Sequence, residues 1–396
     1  MAQMKRSRPP RRAKLTPETE QLIRLATGLG HSNSRIEDAF WDSRLAALIE
    51  RLLKDNEETL LTAALDQLYG SQERAYDGLA DLIEAKSESQ QRGEQDLLLF
   101  VAPVLAWSRF TIPAGAIPAA VLGNIRVQIL AHVFADGVRL GLSDFLYSPD
   151  HLPQSYCDTA VLTEKLGRAA LHNRDLHVDP QQMPETANFL SDTRYLIGVV
   201  TAPRGAAMFR WQEADGDRAA ALKAWRSQGG ETLRPLFPGC ASELLLPQSY
   251  HAGAREADLS SRPYSLRASV AFLSTTLNIA PAELRCVVAP YYDHQLEEFR
   301  IGFLLKSSAD SAESAALIYG AVWPLLDGEN ETSDTASQIE TILREIGVGD
   351  VISLDHRLPL EYCDDCGAPL YPNLDGESVH AELPEEQADA APRHLH

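Results

Sequence analysis

DLLLFVAPV, residues 96–104, follows ten polar residues, KSESQQRGEQ (86–95), and precedes a helical pattern. An apolar run this short reads as a buried strand. The rhythm on either side of it differs. Upstream, 16–90 is helical throughout: Thr16-Pro17-Glu18 is a helix start, with proline at the first helical position. Leu22, Ile23, Leu25 and Ala26 share one face there, and Phe40, Leu45, Leu48, Ile49, Leu52 and Leu53 share a face of a longer second helix. EETLLTAALDQLYG and RAYDGLADLIEA give two more helices, and the short connections imply an antiparallel bundle over 16–90. The polar 86–95 stretch marks its boundary.

Downstream the order is strand, helix, strand. Val121, Leu122, Ile125, Ile129 and Val133 lie at helical spacing, Asp136-Gly137 turns the chain, and 138–147 is the next strand. YLIGVVTAP (195–203), the helix DRAAALKAWRSQ and ASELLLP repeat that order. ELRCVVAPYY and FRIGFLLKS form a hairpin, ALIYGAVWPLL another strand, Ile339 to Ile346 the last helix ended by Gly347, and DVISLDHRLP the last strand. The expected fold is mixed α/β of the α+β kind: a basic arm (1–15), the bundle (16–90), a first α/β unit (95–190), second and third units (191–355), a cysteine knuckle (356–383) and a polar tail (384–396). Tandem βαβ units are expected, with 240–355 in a ferredoxin-like β-α-β-β-α-β order plus one strand.

An internal echo accompanies this order. LPQSY occurs at 152–156 and again at 246–250, and LPLEY at 358–362. Upstream lie VAP (101–103), TAP (201–203) and VAP (288–290), each read as a strand ending. Proline stops a strand because it cannot donate to the ladder, and the serine can cap the helix that follows. Three repeated units are expected from this pattern.

The third copy departs from the others, because YCDDCGAPLYPN (362–373) follows instead of a helix. Cys-x-x-Cys-Gly has the shape of a zinc knuckle: the turn aims two thiolates at one point, and Gly367 supplies a conformation that a side chain resists. His380, fourteen residues beyond Cys366, and His356, seven before Cys363, complete a Cys2His2 candidate. A redox pair and a metal-free turn are the other readings. If zinc binds, a structural role is expected, with chelation loosening the chain beyond residue 356. Cys157, Cys240 and Cys286 read as buried thiols.

Other polar clusters are weaker. YYDHQLEEF (291–299) places Asp293 and His294 beyond a strand end, where an Asp–His pair could act as a base or bind metal. LHNRDLHVDP (171–180) offers His172, Asp175, His177 and Asp179. No GxGxxG, GxxxxGK[ST] or GxSxG is present, which weakens dinucleotide, nucleotide and α/β-hydrolase readings.

Composition narrows the partners. The net charge is −20, and the first 14 residues hold six Lys or Arg and no acid, so the rest carries 30 basic against 56 acidic side chains. Such a surface repels phosphate backbones, leaving only the basic arm to touch nucleic acid. No apolar run approaches the roughly 18 residues that span a bilayer. Five scattered cysteines and an N-terminus without an apolar stretch point to the cytosol.

APVLAWSRF (102–110), RYLIGVVTAPRG (194–205), SRPYSLRASVAFL (261–273) and LPLEYCDDCGAPLYPNLDGE (358–377) together resemble a family of uncharacterised proteobacterial proteins. The resemblance runs from about residue 16 to 385 and implies a bacterial cytosolic housekeeping or regulatory protein, with no activity or site to carry over. Two functions are therefore expected: a non-enzymatic binding or regulatory protein with a structural zinc knuckle and an unidentified protein or small-molecule partner, or a hydrolase-like, metal-dependent enzyme using Asp293 and His294 or the 172–179 cluster.

Overall fold

The computed structural model describes residues 15–187, 189–306, 317–326, 329–330 and 334–383. The expected basic arm, apart from Leu15, and the tail 384–396 lie outside the described residues. The chain is an α+β protein. It begins with four helices, α1 (Pro17–Gly30), α2 (Arg35–Lys54), α3 (Glu58–Leu68) and α4 (Glu73–Glu88). Thr16 caps α1 by accepting the Thr19 N–H at 3.2 Å. Leu22, Leu25, Leu45, Ile49, Leu52, Leu61, Leu79 and Ile83 close the bundle core. Phe40 is a correction: it is 46% exposed, because the first half of α2 projects past the core, and its ring packs on Trp41 and under the Arg44 guanidinium.

The polar 86–95 stretch holds the end of the last bundle helix and the start of the first sheet. α4 runs to Glu88, and the chain continues as edge strand β1 (Ser89–Arg92), turns at Gly93 (φ +59°) and returns as β2 (Gln95–Trp107). Polar side chains suit an edge strand with one side wet. Next come β3 (Gly115–Ala116), α5 (Ala119–His132), β4 (Arg139–Tyr147), α6 (Tyr156–Leu171) and β5 (Ser191–Pro203). β5 lies between β2 and β4 and is antiparallel to both, so β2-α5-β4 is a βαβ unit of the split kind. Along β2, Phe100, Ala102, Val104 and Ala106 face the α5 side while Leu97, Leu99, Val101 and Leu105 face α6. Burial on both faces is why the run is almost wholly apolar. The bundle is tied to this layer by α6: Cys157 completes the bundle core, and the Glu58 carboxylate accepts the Cys157 N–H (2.9 Å) and Tyr156 N–H (3.3 Å) at the α6 N-terminus.

α7 (Arg218–Ala224), a wide turn at 225–229 and α8 (Gly230–Leu233) lead to β6 (Ala241–Leu244) and β7 (Gln248–Ser249), both antiparallel to β2. The ferredoxin-like order expected for 240–355 therefore does not form, because its first strand, β6, belongs to the first sheet. The long helix α9 (Tyr250–Leu277) then crosses to the second layer. Its first half packs Tyr250 and Ala257 on the first sheet, and its second half packs Leu266, Val270 and Phe272 on the second. Between them, Arg262 is buried over Trp323 and pairs with Glu329 at 2.7 Å.

The second sheet contains β8 (Leu284–Tyr292), β9 (Leu296–Leu305), β10 (Leu317–Pro324) and, after α10 (Thr335–Ile346), β11 (Asp350–Ser353) and β12 (Leu358–Pro359). Its order is β10-β9-β8-β11, with β11 and β12 parallel to β8. α9 and α10 cover one face; the hairpin β13 (Tyr371–Pro372) and β14 (Ser378–Val379) covers the other.

The echo has a local physical basis. LPQSY places Tyr156 and Tyr250 at the first residue of α6 and α9, and Ser155 caps α6 by accepting the Asp158 N–H at 3.0 Å. Pro103 and Pro290, expected at strand ends, sit inside β2 and β8. Each faces the break between two short neighbours, β6/β7 or β11/β12, where no donor is needed. The neighbours are antiparallel in the first sheet and parallel in the second, so the shared feature is this joint and not a repeated unit.

Candidate metal centre

The knuckle hangs from the end of β12. Tyr362 bridges to Pro369, the Leu370 N–H donates to the Glu361 carbonyl at 3.2 Å, and the Cys363 N–H donates to the Ala368 carbonyl at 2.7 Å. The Gly367 N–H closes the turn onto the Cys363 carbonyl at 2.8 Å, and Gly367 has φ +73°, a conformation that glycine adopts without Cβ strain. Backbone N–H groups of Cys366 and then Asp365 point at the Cys363 sulfur and hold its thiol below the ordinary range.

The hairpin brings the histidine back. Asn373 Oδ1 accepts the N–H groups of Asp375 (3.0 Å) and Glu377 (2.9 Å), forming the turn from β13 to β14. Beyond β14 the Glu382 N–H donates to the Leu317 carbonyl at 2.9 Å, so His380 is held between two anchored points. One ligand atom from each of Cys363, Cys366 and His380 lies within 4.8 Å of the others. The Cys366 Sγ–His380 Nε2 separation is 3.3 Å, close to the ligand-to-ligand spacing of a tetrahedral site with metal bonds of about 2.0–2.3 Å. The Glu382 carboxylate lies 3.8 Å from Nδ1, the ring nitrogen that ligation through Nε2 leaves over. The group is geometrically able to hold a metal ion.

His356 is not part of that group. It is exposed on the connection between β11 and β12 and lies against the hairpin turn near Gly376. Asp293 and His294 occupy the turn between β8 and β9, 3.9 Å apart, with His294 98% exposed. The 172–179 cluster is dispersed among structural contacts. His172 bonds the Arg168 carbonyl, Asp175 pairs with Arg126, His177 meets Asp144 at 2.6 Å, and Asp179 accepts the Gln181 N–H. Three clefts among the described residues lie elsewhere: one of about 940 Å³ between the bundle and the first sheet, around Lys86, Arg92 and Glu164, an open one of about 490 Å³ along α7, around Leu222 and Arg226, and one of about 250 Å³ between the sheets, around Asp192, Asp258 and Arg262.

Sequence reasoning missed what holds the knuckle in place. Arg300, on β9, is fully buried. It donates to Glu298 at 2.6 Å and to the carbonyls of Glu361 (2.6 Å) and Leu370 (2.7 Å), with its guanidinium over the rings of Tyr291 and Tyr362. Tyr371 is 1% exposed and rests on Gly320, while the Pro372 carbonyl lies over Gly302, the glycine paired with Gly320 across β9 and β10. A charge in EEFRIGFLL and single glycines in two strands were the available signals: a buried charge needs partners, and a strand glycine marks close backbone approach.

Fold and site together define an α+β protein carrying a Cys2His group where the loop after β12 meets the end of the docked β13–β14 hairpin. The chain matches, over residues 7–394, the family described as "Protein of unknown function (DUF2863)", and it belongs to that family. No curated protein and no solved structure matches it. No helix among the described residues is long and apolar enough to cross a membrane.

Proposed function

We propose that this is a non-enzymatic binding or regulatory protein of the bacterial cytosol, with one structural zinc ion held by Cys363, Cys366 and His380. The convergence of the three ligand atoms carries the reading. Two sulfurs and an imidazole favour a borderline-soft metal over calcium or magnesium. The acidic balance disfavours nucleic acid, leaving a protein or small molecule as the partner. The alternative, a metal-dependent enzyme acting on a small molecule, would use the fourth metal position for water or substrate. It finds less support, because Cys366 is exposed at the surface and Asp293 and His294 stand in solvent away from the group.

Elemental analysis of protein purified without chelator is the test. An equimolar amount of zinc, lost in Cys363→Ser/Cys366→Ser, is expected. Zinc near zero in the wild type, or equal zinc in both proteins, would refute the site.

A further inference from the structure

On the footing of a metal held by Cys363, Cys366 and His380, we propose that Arg300 is the positioning residue of the knuckle. It sets the base of the loop in its ligating shape before any metal arrives, which confines the structural part of the zinc to joining the loop's Cys363 and Cys366 to His380. Arg300 reaches both ends of the loop at once, through the Glu361 carbonyl on the entering side and the Leu370 carbonyl on the leaving side. These are the residues joined by the Leu370 N–H to Glu361 carbonyl bond, so the guanidinium locks the base of the loop. Glu298 fixes the Nε side, and the rings of Tyr291 (4.3 Å) and Tyr362 (5.0 Å) flank the guanidinium carbon. Nη2 has no hydrogen-bond partner among the described residues, so the clamp acts through Nε, Nη1 and the two rings. A buried charge is retained only when its partners are fixed, and here, beside Glu298, those partners are the loop's own carbonyls.

A loop built this way differs from a knuckle that folds on its metal. Its ligand-bearing turn is closed by its own backbone bonds, its base is clamped by Arg300, and its hairpin is docked through Tyr371. Removing the metal leaves these contacts in place. The expectation that chelation frees the chain beyond 356 gives way to a local change at Cys366 and His380.

The experiment combines two readouts on the full chain. Hydrogen exchange of the chelator-treated wild type follows the 361–370 segment, and zinc affinity is measured by competition with a chromophoric chelator. The metal-free protein is expected to keep these amides protected. Tyr362→Phe, which preserves the stack, is expected to bind zinc as the wild type does. Tyr362→Ala and Arg300→Gln are expected to lose about 10–100-fold in affinity, as changes behind metal ligands do. Cobalt(II) bound to Tyr362→Ala should show an altered thiolate-to-metal absorption band, a signature that a merely structural loss elsewhere would not move. If Arg300→Gln does not fold, exchange and the Tyr362 pair still decide. Random-coil exchange of 361–370 in the metal-free protein, or equal affinity in Tyr362→Ala and Tyr362→Phe, overturns the proposal. A wild type that binds no zinc while its 361–370 amides stay protected would refute the metal site and leave the clamp standing.

Discussion

Placing a methyl group on Gly320 puts it against the ring of Tyr371, more than an ångström inside ordinary van der Waals contact. The ring has nowhere to retreat, because it is buried against Val287, Leu304 and Leu317. Overpacking of this kind costs about 1–3 kcal/mol. Expulsion of the ring sets an upper limit near the cost of truncating a buried aromatic, about 3–5 kcal/mol. Replacing a strand glycine by alanine alone would act in the opposite direction by about 0.5–1 kcal/mol, through lost freedom of the unfolded chain. Gly320→Ala is therefore expected to destabilise the wild type but not a Tyr371→Ala background, where the obstacle is gone. Gly123→Ala, in α5 with open space around it, is the control and is expected to stabilise by about 0.4–1 kcal/mol. Urea unfolding of the four proteins of the cycle, with Gly123→Ala beside them, gives the coupling directly. Equal effects of Gly320→Ala with and without Tyr371 would refute the docking of the Tyr371 ring on Gly320.

Glu58→Ala removes the carboxylate that accepts two N–H groups at the start of α6 and is expected to cost about 1–2 kcal/mol by urea unfolding, with Glu58→Gln losing less. His251 is half-buried at the α4–α9 contact, with Nε2 2.8 Å from Ser87 Oγ; burial, and then Arg255, push its pKa from the ordinary 6.5 down to about 4. The neutral ring's contribution is whole above pH 6.5 and is lost as pH falls toward 4, on the order of 3 kcal/mol at most. Glu88, which accepts the His251 backbone N–H and is raised by burial, acts in the opposite direction, while Glu329, held below the ordinary range by Arg262, loses its stabilisation as pH falls, so His251→Gln should flatten the acid limb of the urea midpoint and not abolish it. An unchanged pH profile in His251→Gln would contradict this assignment.

What could be read in advance was local. DLLLFVAPV announces β2 because a strand buried on both faces has no room for polar residues, and the bundle helices declare themselves by apolar spacing and the Thr16 cap. Cys363, Cys366 and His380 were legible because a tight turn and one hairpin bring them together. Strand pairing was not legible. Nothing within ASELLLP says that it joins β2, more than a hundred residues upstream, or that β5 inserts between β2 and β4. Arg300 was hidden for the same reason, since its carbonyl partners lie 61 and 70 residues further on. His356 was the weakest of the four candidate ligands by spacing, and the connection from β11 to β12 leaves it exposed beside Gly376, outside the group.

The metal centre is tested most directly by the zinc K-edge absorption spectrum of the purified chain. Two sulfur scatterers at about 2.3 Å, with imidazole nitrogen at about 2.0–2.1 Å, are expected from Cys363, Cys366 and His380. The nitrogen shell should weaken in His380→Ala and stay unchanged in His356→Ala. A spectrum with only light oxygen or nitrogen scatterers, or one in which the Cys363→Ser/Cys366→Ser protein retains the sulfur shell, would contradict the site.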